Sequence, residues 1–304
     1  MSETAVDIAP GVAYLSNAVV NLFFLGEPGH PWVLVDVGMP GFTHKIKAAA
    51  EARYGPDARP EAIILTHGHF DHVGCLHALA SAWDVPVYAH PLEFPYLTGK
   101  SKYPPFDPSV GGFFPFLSRF FPESGIDISD RLKELPATGH VPGVDGWTWH
   151  FTPGHAPGHV SLFRESDRTL VAGDAFITVN MDSFGDTVTK KQEMVRPPSY
   201  ATCDWTLARQ SVEALAGLNP AVAATGHGIP MTGPDIAGQL RTFAGRFNPP
   251  THGRYIPVPA HTDAQGIVSV PPPVLDPGGI ALAVGAVAVG TGLLARRGQG
   301  DKGG

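Results

Sequence analysis

Six residues, His67-Gly68-His69-Phe70-Asp71-His72, set the tightest limit on what this chain can become. They follow the apolar run Ala62-Ile63-Ile64-Leu65, which reads as a buried strand. On a helix, side chains two positions apart do not face one another, so His67 and His69 would diverge; a loop at a strand end lets both converge on one cation. A lone histidine is usually a satisfied core or surface residue, but here four polar groups crowd behind one buried strand. Imidazole nitrogens at about 2.0–2.1 Å suit zinc, and a structural zinc takes four protein ligands whereas a catalytic one leaves a position for water. The rest of the chain must decide between these.

Three later stretches repeat the pattern of strand followed by polar loop. "GWTWHFTPGH" delivers His155, with His159 four residues on; "TLVAGDAF" delivers Asp174; "AVAATGHG" delivers His227 between two glycines. Glycine beside such a residue permits a tight turn and close approach to a cation. Nearer the start, "GVAYLSN", "AVVNLFFLGE" and "PWVLVDVG" are short strands split by Gly and Pro, which predicts an antiparallel meander. "VPVYAH" is a further strand. Helices are predicted over 42–54, 73–83, 205–218 and 234–247, so the expected architecture has sheets with helices packed outside them.

Of 304 residues 43% are apolar, ample for a packed core, and the formal net charge of −7 comes without any basic stripe. Nucleic acid is therefore not an expected partner, and a small-molecule substrate is. Cys75 and Cys203 are too few for a disulfide framework and read as small buried residues. The first residues lack the basic start and continuous apolar core of a secretion signal, so the expected location is cytoplasmic.

The main domain is predicted over 1–255. Within it, 90–136 is an insert dense in Phe, Pro and Gly, a candidate lid. Its Phe113, Phe114, Phe116, Phe120 and Phe121 either line an apolar substrate pocket or form a satellite core. Lys190, Lys191 and Arg196 read as a solvated charged loop. Residues 256–277 are linker-like, 278–297 are apolar and 298–304 form a tail. Gly278 to Ala295 carries no charge, at the lower length limit for spanning a bilayer, so it is a candidate membrane helix; a docked helix or an unstructured tail are the alternatives.

H-x-H-x-D-H followed by a separate His, Asp and His resembles the metallo-β-lactamase-fold hydrolase superfamily, in motif order from about Val12 to His227. The resemblance implies an α+β fold, a four-layer αββα sandwich with two divalent metal ions at one edge of its sheets. Carried over by position, it implies that His67, His69 and His155 hold the first metal, that Asp71, His72 and His227 hold the second, and that Asp174 bridges them. His159 is left with a hydrogen-bonding or packing role beside the ligands. Zinc is the expected metal, although iron or manganese would also accept these donors.

The implied activity is hydrolysis: a metal-bridging hydroxide attacks an ester, lactone or thioester carbonyl, and Asp71 accepts the proton. The fold alone does not name a substrate. Flavodiiron members have Glu where this chain has His69, and quorum-quenching lactonases place a tyrosine shortly after the bridging aspartate, where Phe176 and Ile177 stand here. Phosphodiester or β-lactam hydrolysis at the same site remain alternatives. The alternative of another class is a non-catalytic, metal-stabilised binding module, but a structural zinc is closed by four ligands and this chain offers seven.

Overall fold

The computed structural model describes residues 4–123 and 126–276. Val20–Leu25 shows how the layers arise: its sequence VNLFFL is buried along its whole length. Leu22 and Phe24 turn to one apolar cluster, while Phe23 and Leu25 turn to another. Successive side chains on a strand point to opposite faces, so a strand covered on both sides reads as a continuous apolar run.

That strand is β3 of a seven-stranded sheet in sequence order: β1 (Val6–Ala9), β2 (Val12–Asn17), β3 (Val20–Leu25), β4 (Val33–Val35), β5 (Ala62–Ile64), β6 (Val87–Ala89) and β7 (Leu132–Glu134). The first four pair antiparallel, as the predicted meander requires, and β4 through β7 run parallel. A second sheet has the order β12-β11-β10-β9-β8, from β8 (Trp147–Phe151), β9 (Val160–Arg164), β10 (Thr169–Gly173), β11 (Val222–Thr225) and β12 (Met231–Thr232).

The helices of the first half are α1 (Thr43–Tyr54), α2 (Phe70–Val73) and α3 (Leu76–Trp83). Ile46 and Ala50 of α1, with Leu76, Leu79 and Trp83 of α3, pack on the Leu22 and Phe24 face of the first sheet. The insert carries α4 (Phe94–Leu97) and α5 (Phe113–Leu117); then come α6 (Phe184–Thr189), α7 (Trp205–Gly217) and α8 (Ile236–Gly245). Val212 and Leu215 of α7 and Leu240 and Phe243 of α8 cover Leu170 and Ala223 of the second sheet. Between the sheets, Phe23, Val35 and Ile64 meet Trp147, Leu162 and Val171. The sum is the four-layer αββα sandwich.

Differences from the sequence expectation are local. The histidine motif is not wholly a loop: Asp71 and His72 lie on α2, whose first turn closes through His72 N–H to the His69 carbonyl at 2.9 Å. Part of the expected linker is a hairpin, β13 (His261–Asp263) and β14 (Gly266–Ser269), seated on the insert through Ile267 N–H to Ser101 Oγ at 3.2 Å. Gly266 makes the turn possible, because its φ of 108° and the proximity of Ser101 leave no room for a Cβ. Among the described residues no helix is long and apolar enough to cross a membrane. The candidate membrane segment 278–297 lies outside the described residues.

Candidate metal centre

The carboxyl ends of β4, β5, β8, β10 and β11 open on one edge of the sandwich, and the residues just beyond them form the site. Asn21 of β3 stitches the two sheets there: its side-chain amide donates to the Thr225 carbonyl at 2.9 Å and the Gly228 carbonyl at 2.6 Å. His67 and His69 follow β5, His69 on an extended backbone, and α2 then carries Asp71 and His72. His155 follows β8, Asp174 follows β10 and His227 follows β11.

All seven of these side chains are buried, and the structure brings them together. Donor atoms of His67, His69 and His155 lie within 4.8 Å of one another, as do those of Asp71, His72 and His227, and those of His67, His72 and Asp174. Asp174 Oδ2 is central, 3.4 Å from His155 Nε2, 3.5 Å from His72 Nε2 and 3.1 Å from His227 Nε2. His69 Nδ1 is 3.0 Å from His155 Nε2, and Asp71 Oδ2 is 3.5 Å from His227 Nε2. Two ligands bound at about 2.0–2.1 Å in a tetrahedral arrangement would stand roughly 3.3–3.4 Å apart, so these spacings suit a shared cation. Among the described residues, His67 Nε2, His72 Nε2 and Asp174 Oδ1 are buried and find no hydrogen-bond partner. Three orphaned polar atoms at one buried point are costly unless something positively charged satisfies them.

The outward nitrogens explain why the inward ones are free. His227 Nδ1 donates to the Val19 carbonyl at 2.8 Å. His155 Nδ1 faces Thr202 Oγ1 at 3.3 Å; that hydroxyl gives its proton to the Pro198 carbonyl, so the imidazole is the donor. Asp36 governs two more. Its Oδ2 accepts from His72 Nδ1 at 2.9 Å and from Thr66 Oγ1 at 2.7 Å, while Oδ1 accepts from Thr66 N–H at 2.8 Å. With its own proton committed, Thr66 Oγ1 must accept from His67 Nδ1, 3.0 Å away. One carboxylate therefore sets the tautomers of two histidines.

His159 points elsewhere. Its Nε2 accepts the Asp174 N–H at 2.9 Å, so its proton sits on Nδ1 and begins a chain through Thr152 Oγ1 and Ser161 Oγ to the Ala172 carbonyl. That chain orients the backbone carrying Asp174.

Electrostatics divide the histidines in two. Burial, reinforced by neighbouring imidazoles, holds His67 and His155 well below the ordinary range, and brings His69 down to about 3. These three are neutral at physiological pH and keep their lone pairs. Burial also pulls on His72 and His227, but Asp174 outweighs it, helped by Asp36 and Asp71 at His72 and by Asp71 at His227, and both are raised. Burial pushes Asp174 up, yet His227 and His72 together hold it well below the carboxylate range. A divalent cation would compete with protons for the same lone pairs.

Residues 17–227 match the profile of the metallo-beta-lactamase superfamily. The chain belongs to the metallo-β-lactamase superfamily. Among curated relatives, the Bacillus subtilis (strain 168) protein named "Probable metallo-hydrolase YflN" is 46% identical over 250 residues, 81% of this chain and 95% of that one. "Probable metallo-hydrolase YybB" of the same organism is 33% identical over 165 residues, 54% of this chain and 64% of that one. Among solved structures, the BLEG-1 B3 metallo-beta-lactamase aligns with a TM-score of 0.53 at 24% identity, over 74% of this chain and 92% of that one. A metallo-beta-lactamase family protein from Thermus thermophilus, TTHA1429, aligns with a TM-score of 0.52 at 21% identity, over 78% and 79%. These structural likenesses speak to the fold, and membership of the metallo-β-lactamase superfamily implies divalent metal ions at the cluster.

The insert reaches this cluster unevenly. Phe114 is buried, and Phe113 and Phe121 pack with it around Phe106, Tyr200 and Phe70, the residue between His69 and Asp71. The Phe106 ring stands 5.8 Å from that of His69. Phe116 and Phe120 face solvent, Phe120 at 72% exposure. Lys191 pairs with Glu193 at 3.3 Å and Arg196 with Asp182 at 2.8 Å. A cavity of about 670 Å³ beside Gly26 and Trp147 lies at the opposite end of β3 from the cluster. Asp36, Thr66, Thr202 and Tyr200 are site residues that sequence reasoning missed; for Asp36 the one signal was an aspartate closing the all-apolar run of "WVLVDVG".

Proposed function

We propose that this chain is a dinuclear metal-dependent hydrolase acting on an ester, lactone or thioester, with zinc as its metal. The observation that carries this reading is the convergence of seven buried donors from both sheets, with three of their atoms otherwise unsatisfied. The metallo-hydrolase names of the relatives support the reaction class. His67, His69 and His155 would hold one ion, and Asp71, His72 and His227 the other. Asp174 would bridge them, since its Oδ2 lies within 3.5 Å of nitrogens from both sets.

When bound, the ions would polarise water and a substrate carbonyl together. The residues do the rest. Asp71 is the more accessible of the two carboxylates, with 9% of its side chain exposed against 2% for Asp174, and would take the proton released by the attacking water. The wall of Phe70, Phe106, Phe114, Phe121 and Tyr200 would seat an apolar acyl part and exclude bulk water.

Metal analysis of the purified protein, combined with a panel of esters, lactones, thioesters, β-lactams and phosphodiesters, tests the proposal. Two tightly held metals and turnover of a carboxyl derivative are expected. A protein holding at most one metal and inert toward the whole panel would be a binding module instead.

A further inference from the structure

Glu93 is wholly buried in the insert, yet among the described residues its carboxylate is met by neutral donors. Its Oε2 accepts from Gly68 N–H at 2.9 Å and its Oε1 from Gly158 N–H at 2.6 Å. The Tyr103 hydroxyl donates to the same Oε2 and lies 2.8 Å from Gly68 N. Gly68 sits between His67 and His69, while Gly158 closes the short loop that begins at His155. The two amides belong to separate loops, 90 residues apart in sequence, by subtraction of 68 from 158.

Both glycines are shaped to this contact. A Cβ on Gly68 would come within 2.6 Å of Tyr103 Oη, and one on Gly158 within 2.8 Å of Glu93 Cγ. Tyr103 is itself fixed, stacked on Tyr96 at 4.1 Å, and its ring lies 4.5 Å from that of His69. Burial pushes Glu93 up to about 7, against the pull of Tyr103 and the Gly158 and Gly68 amides, so its charge depends on these donors.

We infer that Glu93, with Tyr103, is a positioning clamp that fixes the spacing between the His67–His69 loop and the His155 loop, and so sets how firmly the first metal alone is held. The inference rests on the dinuclear reading above. It assigns the insert a task beyond lining a pocket: the insert supplies the brace behind one of the two metal sites. Its hydrogen bonds reach the backbone between His67 and His69 and the loop after His155, not the Asp71, His72 and His227 set, whose His72 and His227 bond outward to Asp36 and Val19.

Glu93→Gln keeps the shape but not the acceptors. One amide oxygen can serve one backbone N–H, and the NH₂ then faces the other N–H, donor against donor. The test follows chelator-driven release of zinc from the reconstituted full chain, together with metal stoichiometry and thermal unfolding. The wild type should hold two ions; Glu93→Gln should hold one firmly and release the other about 10–100-fold faster, the usual cost of losing such support. A residue important only for general stability would loosen both ions alike. The inference is overturned if the variant keeps both ions at wild-type rates or releases both equally. Should Glu93→Gln be recovered only as insoluble protein, Tyr103→Phe carries the same test on the Gly68 side, and unchanged release there is equally fatal. A wild type that holds fewer than two ions would instead refute the dinuclear reading itself.

Discussion

Asp36→Asn is the sharpest test of how the site is organised. The backbone at Asp36 has φ 57°, a left-handed conformation that asparagine accepts as readily as aspartate, so the substitution adds no strain. The amide oxygen can still receive Thr66 N–H. The new NH₂, however, occupies the place of Oδ2, where both His72 Nδ1 and Thr66 Oγ1 now donate. To satisfy it, His72 must accept at Nδ1 and Thr66 must turn its proton toward His67 Nδ1. Each imidazole then carries its proton on Nε2, the nitrogen that faces the cluster, and neither can bind a cation there. Hydrogen bonds to a charged group contribute about 1.5–3 kcal/mol and neutral ones about 0.5–1.5 kcal/mol, so three weakened bonds should cost the fold about 2–4 kcal/mol.

Metal binding should suffer at both proposed sites, because the proposal assigns His67 to one set and His72 to the other. Loss of support behind a ligand typically costs about 10–100-fold in affinity, and here each set loses one such support. Competition with a chromogenic chelator measures this, with thermal unfolding of the chelator-stripped protein to isolate the cost to the fold. Wild-type metal affinity in Asp36→Asn would refute the assignment of both tautomers to one carboxylate. Weakening of a single site would refute the relay through Thr66 alone.

Gly226→Ala should act directly on the proposed bridging residue, since the added Cβ would lie 2.1 Å from Asp174 Oδ1; metal content and turnover should fall together, and retention of both would place Asp174 outside the centre. Metal affinity should rise with pH. His72 and His227 are raised and must give up protons before they bind, whereas His67, His69 and His155 are lowered and release none. The dissociation constant should therefore fall by about tenfold per pH unit for each proton released, until pH passes the raised values, and calorimetry in buffers of differing ionisation enthalpy would count those protons. Phe121→Ala should raise KM for long-chain acyl esters about tenfold with little change for acetyl esters, while Phe120→Ser, at an exposed position, should alter neither.

The ligand-bearing loops were legible because each repeats one local pattern, an apolar strand that ends on a polar residue beside glycine. The meander of β2, β3 and β4 was legible for the same reason, as its strands are bounded by Gly and Pro. Asp36 was not, because its partners Thr66 and His72 lie 30 and 36 residues further on and nothing nearby signals them. β1 and β7 escaped notice because their residues are exposed or half-buried and carry no apolar run. β9 begins just after the Pro157-Gly158 turn and His159, so its first residues merge with the polar stretch that carries His155 and His159. The five phenylalanines of the insert look alike in composition. What separates Phe114 from Phe116 is the phase of a helix of five residues, which no periodicity over so short a stretch can set, and Phe120 lies beyond that helix on the turn Ser118–Phe120.

Asn21 joins the sheets at the edge where the donors meet, and those donors come from both halves of the fold: His67, His69, Asp71 and His72 from the first sheet's half, His155, Asp174 and His227 from the second's. On the proposed assignment, neither half owns a complete set for the first ion or the second. Each ion would therefore act as a rivet through the sandwich, rewarding only chains in which both sheets have closed on one another. Metal loading becomes a gauge of completed assembly, and hydrogen-exchange protection gained on loading should appear at the ends of β5 and β11 together, never at one of them alone.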